Sequence, residues 1–151
     1  MPKTMNFHME VSGCPTTCMH CWANGGTYRG MPMADIAWVL AQGQEFCIDN
    51  GLAFVPYPFH ELLAHPDFTQ ILPQFAALDP EAYEPIPTPG VPLANREDWR
   101  TILAAIKAIG TQTLWFTFHG VGEVHDRAVN RRGAFEETCL AVNRAHEAGL
   151  R

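Results

Sequence analysis

The chain has 151 residues, 47 % of them hydrophobic and 17 % charged, which is long enough for one domain with a sizeable core and too apolar for a disordered protein. Its net charge is −6 and its only adjacent basic pair is Arg131-Arg132, so neither nucleic acid nor an anionic membrane is an expected partner. The first residues, MPKTMNFHMEV, contain no apolar run of signal-peptide length, and no segment approaches a membrane span. We therefore expect a cytoplasmic protein whose thiols stay reduced.

Strand and helix patterns alternate along the first half of the chain. Apolar and polar residues alternate over 5–11, which predicts a strand, and apolar residues recur at helical spacing from position 33 to a stop at Asn50-Gly51. The apolar run 52–59 predicts a second strand. A second helix should follow over 65–78, with Asp67 as its N-cap.

The second half is interrupted by proline before it becomes regular again. Residues 79–94 contain five prolines outside any clear pattern, and a strand over 83–88 or a loop fits equally well. Asn95 is the expected N-cap of a helix over 96–109, and 111–120 alternates as a strand. The last helix should end at Gly149 and present one apolar face, formed by Phe135, Cys139, Val142 and His146.

Four strand–helix alternations predict parallel βα units, and the length suits four to five units of a barrel. Sites in such folds form at the C-terminal ends of the strands. A polar cluster follows each expected strand: the cysteines of 14–21, His60-Glu61, the segment 88–90 and His119-Gly120. The spacing therefore predicts one shared site, and the polar positions of the first and fourth strands predict a cavity for a polar ligand.

Three cysteines lie within eight positions, at Cys14, Cys18 and Cys21, in the pattern C-x3-C-x2-C. The chain has five cysteines, an odd number with three of them clustered, which argues against a disulfide framework. Three close thiolates suit either a zinc ion, with His20 or His8 as fourth ligand, or a cubane iron–sulfur cluster with one iron left open.

The segment CPTTCMHC resembles the cluster motif of the radical S-adenosylmethionine (SAM) superfamily. The resemblance implies that Cys14, Cys18 and Cys21 ligate a [4Fe–4S] cluster, whose fourth iron takes the amino and carboxylate groups of SAM. It also places His20 near the adenine. FHELLAHPDF, residues 59–68, resembles the Gly-Gly-Glu-Pro stretch of the family, which implies that Glu61 binds the SAM amino group.

Two further segments extend the resemblance over nearly the whole chain. TPGV, residues 88–91, resembles the Thr-Asn-Gly end of the third strand, and residues 115–150 are similar to the fourth βα unit of peptide-modifying members. By this comparison Thr117 contacts the SAM ribose and Arg132 pairs with the SAM carboxylate. His119, on the polar side of the fourth strand, contacts a ligand or substrate or makes a structural hydrogen bond.

The fold that the resemblance implies is α/β, a partial parallel (β/α) barrel with about four of the six βα units of a radical SAM core. The core domain would occupy residues 1–151, truncated at the start of the fifth strand. Prolines at 56 and 58 and at 85 and 87 should weaken the pairing of the second and third strands.

The implied activity is reductive cleavage of SAM to a 5′-deoxyadenosyl radical, which abstracts hydrogen from a substrate such as a peptide. A flavodoxin- or ferredoxin-type protein would donate the electron. Two alternatives remain open from the sequence: a structural zinc-binding module and a catalytically inactive fragment.

Overall fold

A computed structural model of the chain describes residues 3–23, 25–26 and 30–151. Within these residues, four strands and six α-helices follow one another along the chain. In order they are β1 (Lys3–Met9), α1 (Met33–Asp49), β2 (Leu52–Pro58), α2 (Phe68–Leu78), β3 (Ile86–Thr88), α3 (Val91–Asn95), α4 (Trp99–Ala108), β4 (Leu114–Phe116), α5 (Glu123–Val129) and α6 (Ala134–Glu147). Short 3-10 turns occupy Leu62–Ala64 and Pro80–Tyr83.

The strands form two parallel pairs. β1 pairs with β2 in the register Lys3↔Leu52 to Met9↔Pro58, and β3 pairs with β4 over Ile86↔Leu114 to Thr88↔Phe116. The α/β class with parallel strands is therefore confirmed. The described strands form two separate two-stranded sheets and no closed barrel, so the barrel itself is not established by this arrangement.

The break between the sheets falls where prolines were expected to weaken strand pairing. β2 contains Pro56 and Pro58, β3 contains Pro87, and Pro85 directly precedes β3. Each proline lacks the backbone N–H that a ladder needs. A cavity of about 40 Å³ lies between β2 and β3, and Pro58 and Pro87 are among its lining residues.

The apolar patterns predicted from the sequence form most of the core. The inner face of α2 is fully buried through Phe68, Ile71, Leu72 and Phe75, as its spacing predicts. Along β1, burial alternates as expected, and Met9 and Val11 are buried. Helix α1 packs against β2, burying Ile36, Leu40 and Cys47.

At Gly43 the ring of Phe54 on β2 lies directly against the α1 backbone. A Cβ at this position would lie 2.5 Å from Phe54 Cζ. We expect Gly43→Ala to lower the free energy of unfolding, because overpacking costs about 1–3 kcal/mol and the helix-propensity gain of alanine offsets only about 1 kcal/mol. The urea midpoint measures this effect. Adding Phe54→Leu should restore part of the loss, and a midpoint at or above that of the unchanged protein would contradict the prediction.

Asn95 is not the N-cap of the helix that follows, which corrects the sequence prediction. It ends α3, where its Nδ2 donates to Val91 O at 3.0 Å and to Glu137 Oε1 at 2.9 Å. Arg96 has an extended backbone, which ends the helical conformation of α3. The next helix, α4, therefore begins at Trp99, after Asp98. The proline-containing segment before Asn95 forms a short helix of its own because Pro92 suits a first turn.

The predicted apolar face of α6 is also wrong. The buried residues are Ala134, Thr138, Ala141 and Ala145, whereas Phe135, Cys139 and Val142 are half-buried and His146 is exposed. Close packing explains the difference, since a Cβ on Gly90 would lie 2.9 Å from the Cβ of Ala141. Small side chains let α6 approach the start of α3, and size rather than hydrophobicity decides which face is buried.

Candidate functional site

A cavity of about 490 Å³ opens at the C-terminal ends of the four strands. Every polar cluster expected at this rim contributes to its lining. The contributing side chains include Cys14, Cys18 and Cys21 after β1, Glu61 after β2, Thr88 at the end of β3, and Thr117 and His119 after β4. The parallel strand directions thus bring residues more than a hundred positions apart to one cavity.

The three cysteines lie on one irregular loop and are free thiols, each half-buried. Cys14 Sγ lies 3.1 Å from Thr16 Oγ1, and Cys18 Sγ donates to the same oxygen at 3.5 Å. Burial raises the pKa of the Cys14 thiol above its ordinary value, against an opposing effect of the Thr16 hydrogen bond. Because a metal ligand must be a thiolate, binding at Cys14 would release a proton.

The donor set matches a thiolate-bound iron–sulfur cluster better than any hard cation. Three thiols are soft ligands, of the kind that holds such clusters, and all three line the same cavity. Among the described residues, no group of three or more histidine, cysteine, aspartate or glutamate side chains is gathered closely enough to hold a single metal ion.

Glu61 is a buried carboxyl group, only 3 % exposed. Its Oε1 accepts from the Leu63 N–H at 3.0 Å, which caps the 3-10 turn, and its Oε2 accepts from Thr88 Oγ1 at 3.0 Å. Its backbone is tied to the cysteine loop, because Ser12 Oγ donates to Glu61 O at 2.7 Å and Glu61 N donates to Gly13 O at 3.3 Å. Glu61 is therefore both a cap and a wall of the cavity. Burial raises the pKa of its carboxyl to about 8, although the two hydrogen bonds lower it.

The raised pKa of Glu61 predicts a protein that loses stability as the pH rises. Between the ordinary carboxyl pKa of 4.5 and the folded value of about 8, the folded chain holds a proton that the unfolded chain releases. The contribution is thus favourable below about pH 4.5 and is lost by about pH 8, with a limiting slope of about 1.4 kcal/mol per pH unit. Urea unfolding of the metal-free protein at pH 5.5, 6.5 and 7.5 measures it. Glu61→Gln should flatten this decline, and equal slopes in the two proteins would contradict the assignment.

His60 has a backbone conformation typical of glycine, and it occupies a glycine position of the Gly-Gly-Glu-Pro stretch that residues 59–68 resemble. Its φ is +65°, in the left-handed region that side chains rarely adopt. The conformation is held in part by a contact of its Nε2 with Glu10 Oε1 at 3.0 Å. Phe59 and His60 both line the cavity, so their rings occupy space that glycines would leave open.

Three histidines gather on one side of the cavity. The ring centroids of His20 and His119 are 4.3 Å apart, and His119 stacks on His125 at 5.9 Å. Burial lowers the pKa of His119, and the nearby His20 and His125 lower it further, which favours a neutral ring. His125 Nδ1 accepts from the His119 backbone N–H at 3.1 Å, so a neutral His125 ring carries its proton on Nε2.

His125 is a cavity residue that sequence reasoning left without a role. It lies on α5, a seven-residue helix preceded by Gly120 and Gly122 and too short to show periodicity. Its spacing of six from His119 was the available signal, because a tight turn can bring such residues together.

Arg132 is the one predicted site residue that does not line the cavity. It lines a separate surface depression together with Glu123, Asp126 and Arg127. The neighbouring Arg131 lines the same depression and also contacts Glu137, with its Nε 2.6 Å from Glu137 Oε2.

No protein-family model matches the chain, and a search of curated proteins gave no significant match. Within the residues described above, no helix is both long and apolar enough to cross a membrane.

Aromatic rings form another wall of the cavity. His8 packs against Tyr57 and Phe59 at ring-centroid distances of 5.7 and 5.8 Å, and Trp22 meets Phe59 edge to face at 5.2 Å. The cavity thus combines thiols, one buried carboxyl group, hydroxyl groups and aromatic faces. Such a lining can hold a soft-ligand cofactor beside a ligand that has both a planar ring and a charged amino group.

Proposed function

We propose that the chain is a radical SAM enzyme whose four βα units belong to a partial parallel barrel. One observation carries the proposal: the three thiols of C-x3-C-x2-C and the buried Glu61 line the same cavity at the strand ends. The pattern supplies three cluster ligands, and the carboxyl group supplies an acceptor for an ammonium group. Neither feature alone would support more than a metal site or a helix cap.

The predicted site residues that line the cavity each have a part in this proposal. Cys14, Cys18 and Cys21 hold a [4Fe–4S] cluster, and Glu61 accepts hydrogen bonds from the SAM ammonium group. His20 lies beside the adenine and Thr117 beside the ribose, while His119 contacts ligand or substrate. Arg132 receives no part, because it lies outside the cavity lining.

The bound cluster and SAM would supply one-electron cleavage of SAM and hydrogen abstraction from a substrate. The chain's own residues bind and orient: Glu61 fixes the amino group, and the aromatic wall offers ring faces against which a planar group of the ligand can pack. A flavodoxin- or ferredoxin-type electron donor, a substrate such as a peptide and a cytoplasmic setting complete the proposal.

Anaerobic reconstitution with iron and sulfide tests this function. The expected result is about four iron atoms per chain and a reduced-cluster EPR signal that changes shape when SAM is added. A colourless protein that retains one zinc per chain would instead support the structural zinc module. A cluster signal indifferent to SAM would support a form that holds the cluster without the activity.

A further inference from the structure

The cysteine loop is hydrogen-bonded to the end of helix α5, more than a hundred residues later in the sequence. Thr17 N donates to Val129 O at 3.2 Å, and Met19 N donates to Ala128 O at 3.0 Å. Both carbonyls belong to the last turn of α5, where helical carbonyls lack partners within the helix. The loop and the helix end therefore satisfy each other's backbone groups.

Two side chains directly after α5 extend this attachment. Asn130 adopts the left-handed conformation, with φ +51°, and its Nδ2 lies 2.8 Å from Thr17 Oγ1. Arg131 Nη1 donates to Pro15 O at 3.4 Å. Pro15 and Thr17 lie between Cys14 and Cys18, so both contacts act on the segment that sets the separation of these two thiols.

Arg131 is itself held rigidly by α6. Its Nε and Nη2 bind the two carboxylate oxygens of Glu137 at 2.6 and 2.8 Å, in a bidentate arrangement. Asn95 Nδ2 also donates to Glu137 Oε1, at 2.9 Å. The guanidinium group thus connects the cysteine loop to the helices α3 and α6, and a fixed fork of this kind loses little entropy on binding.

We propose that Asn130 and Arg131 are positioning residues that hold the cysteine loop in the conformation that presents its thiols to a cluster. The inference rests on the proposed function for its cluster, but the attachment of the loop is a property of the metal-free chain. Groups that orient metal ligands without touching the metal commonly change metal affinity by about 10–100-fold when removed.

The variants are chosen to remove the contacts without disturbing the backbone. Asn130→Gly keeps the left-handed conformation and removes the amide, and Thr17→Val removes the hydroxyl from the other side. Arg131→Lys keeps a positive charge near Glu137 but lacks the fork that reaches Pro15. Asn130→Asp reverses the direction of the hydrogen bond, because its carboxylate accepts from the Thr17 hydroxyl, and it should therefore keep the attachment. Arg127→Ala, which removes a side chain on α5 that is 69 % exposed, is the matched control.

Two measurements separate the attachment from its role. Hydrogen exchange of the Thr17 and Met19 amides in metal-free protein should become about five- to tenfold faster in Asn130→Gly, Thr17→Val and Arg131→Lys. Iron release from the reconstituted proteins to a chelator should become about 10–100-fold faster in the same three variants. The melting temperature and Arg127→Ala control for a general loss of stability.

Each possible outcome bears on the inference. Unchanged exchange in all three variants would overturn the attachment, and faster exchange with unchanged iron release would overturn the positioning role. Protected amides in a wild-type chain that takes up no iron would remove the proposed function, and with it the role toward a cluster, while leaving the attachment itself in place.

Discussion

Cys18→Ala should abolish incorporation of the proposed [4Fe–4S] cluster, and this is the largest effect that we expect. Cys18 is the second of the three thiols of the motif in sequence order, and it lines the cavity together with Cys14 and Cys21. Two thiolates cannot replace three protein ligands of a cubane cluster. Iron and acid-labile sulfide per chain, measured after anaerobic reconstitution, should fall from about four to near zero.

Cys139→Ala is the matched control for this experiment. Cys139 is a half-buried cysteine on α6 that does not line the cavity, so its removal should leave the iron content unchanged. The metal-free Cys18→Ala protein should keep its melting temperature, because among the described residues the Cys18 thiol makes a single hydrogen bond, a long one of 3.5 Å to Thr16. Normal iron content in the Cys18 variant would remove this residue from the ligand set.

Glu61→Gln should keep the cluster and weaken SAM binding by about 10–100-fold. The variant retains the shape of the side chain but loses the charge that an ammonium donor requires, and hydrogen bonds to charged groups contribute about 1.5–3 kcal/mol. Equilibrium dialysis of SAM against the reconstituted protein measures the affinity. Glu45→Gln, at an exposed glutamate on α1, is the control.

The same pair of proteins should differ in the pH dependence of SAM affinity. Because the pKa of Glu61 is raised to about 8, its carboxyl must lose a proton before it can bind an ammonium group. Wild-type affinity should therefore rise with pH between about 6 and 7.5, where an α-amino group remains charged, and the Gln variant should show no such rise. Equal affinities and parallel pH profiles would remove Glu61 from the SAM site.

Periodicity predicted the elements that bury large apolar side chains. Local pattern accounts for the buried inner face of α2, for the alternation in β1 and for the end of α1 at Asn50-Gly51. Asn95 and the face of α6 could not be assigned in this way. Asn95 has a cap-like residue type, but its position is decided by Pro92 and by the distant Glu137, and α6 buries alanines because of the approach of Gly90.

The location of the candidate site was predictable because it depends on chain direction alone. Parallel strands place their C-terminal ends together, so the cysteines, Glu61, Thr88 and His119 line one cavity even with the sheets divided. The details depend on tertiary contacts. The sequence alone does not distinguish Arg131 from the adjacent Arg132. The position of Glu137 on α6 decides which of the two guanidinium groups faces the cysteine loop.

The division between the two sheets has a consequence for the order in which the molecule comes apart. One apolar core runs beneath both strand pairs. At the cavity, by contrast, polar contacts such as Thr88 to Glu61 and Asn130 to Thr17 join the segments around the β3–β4 pair to those around the β1–β2 pair. Each such bond contributes only about 1 kcal/mol, so the rim opens at a lower free energy than the core unfolds. Anything coordinated by the thiols is therefore retained or lost according to this local opening, and its lifetime is set independently of the global stability of the fold.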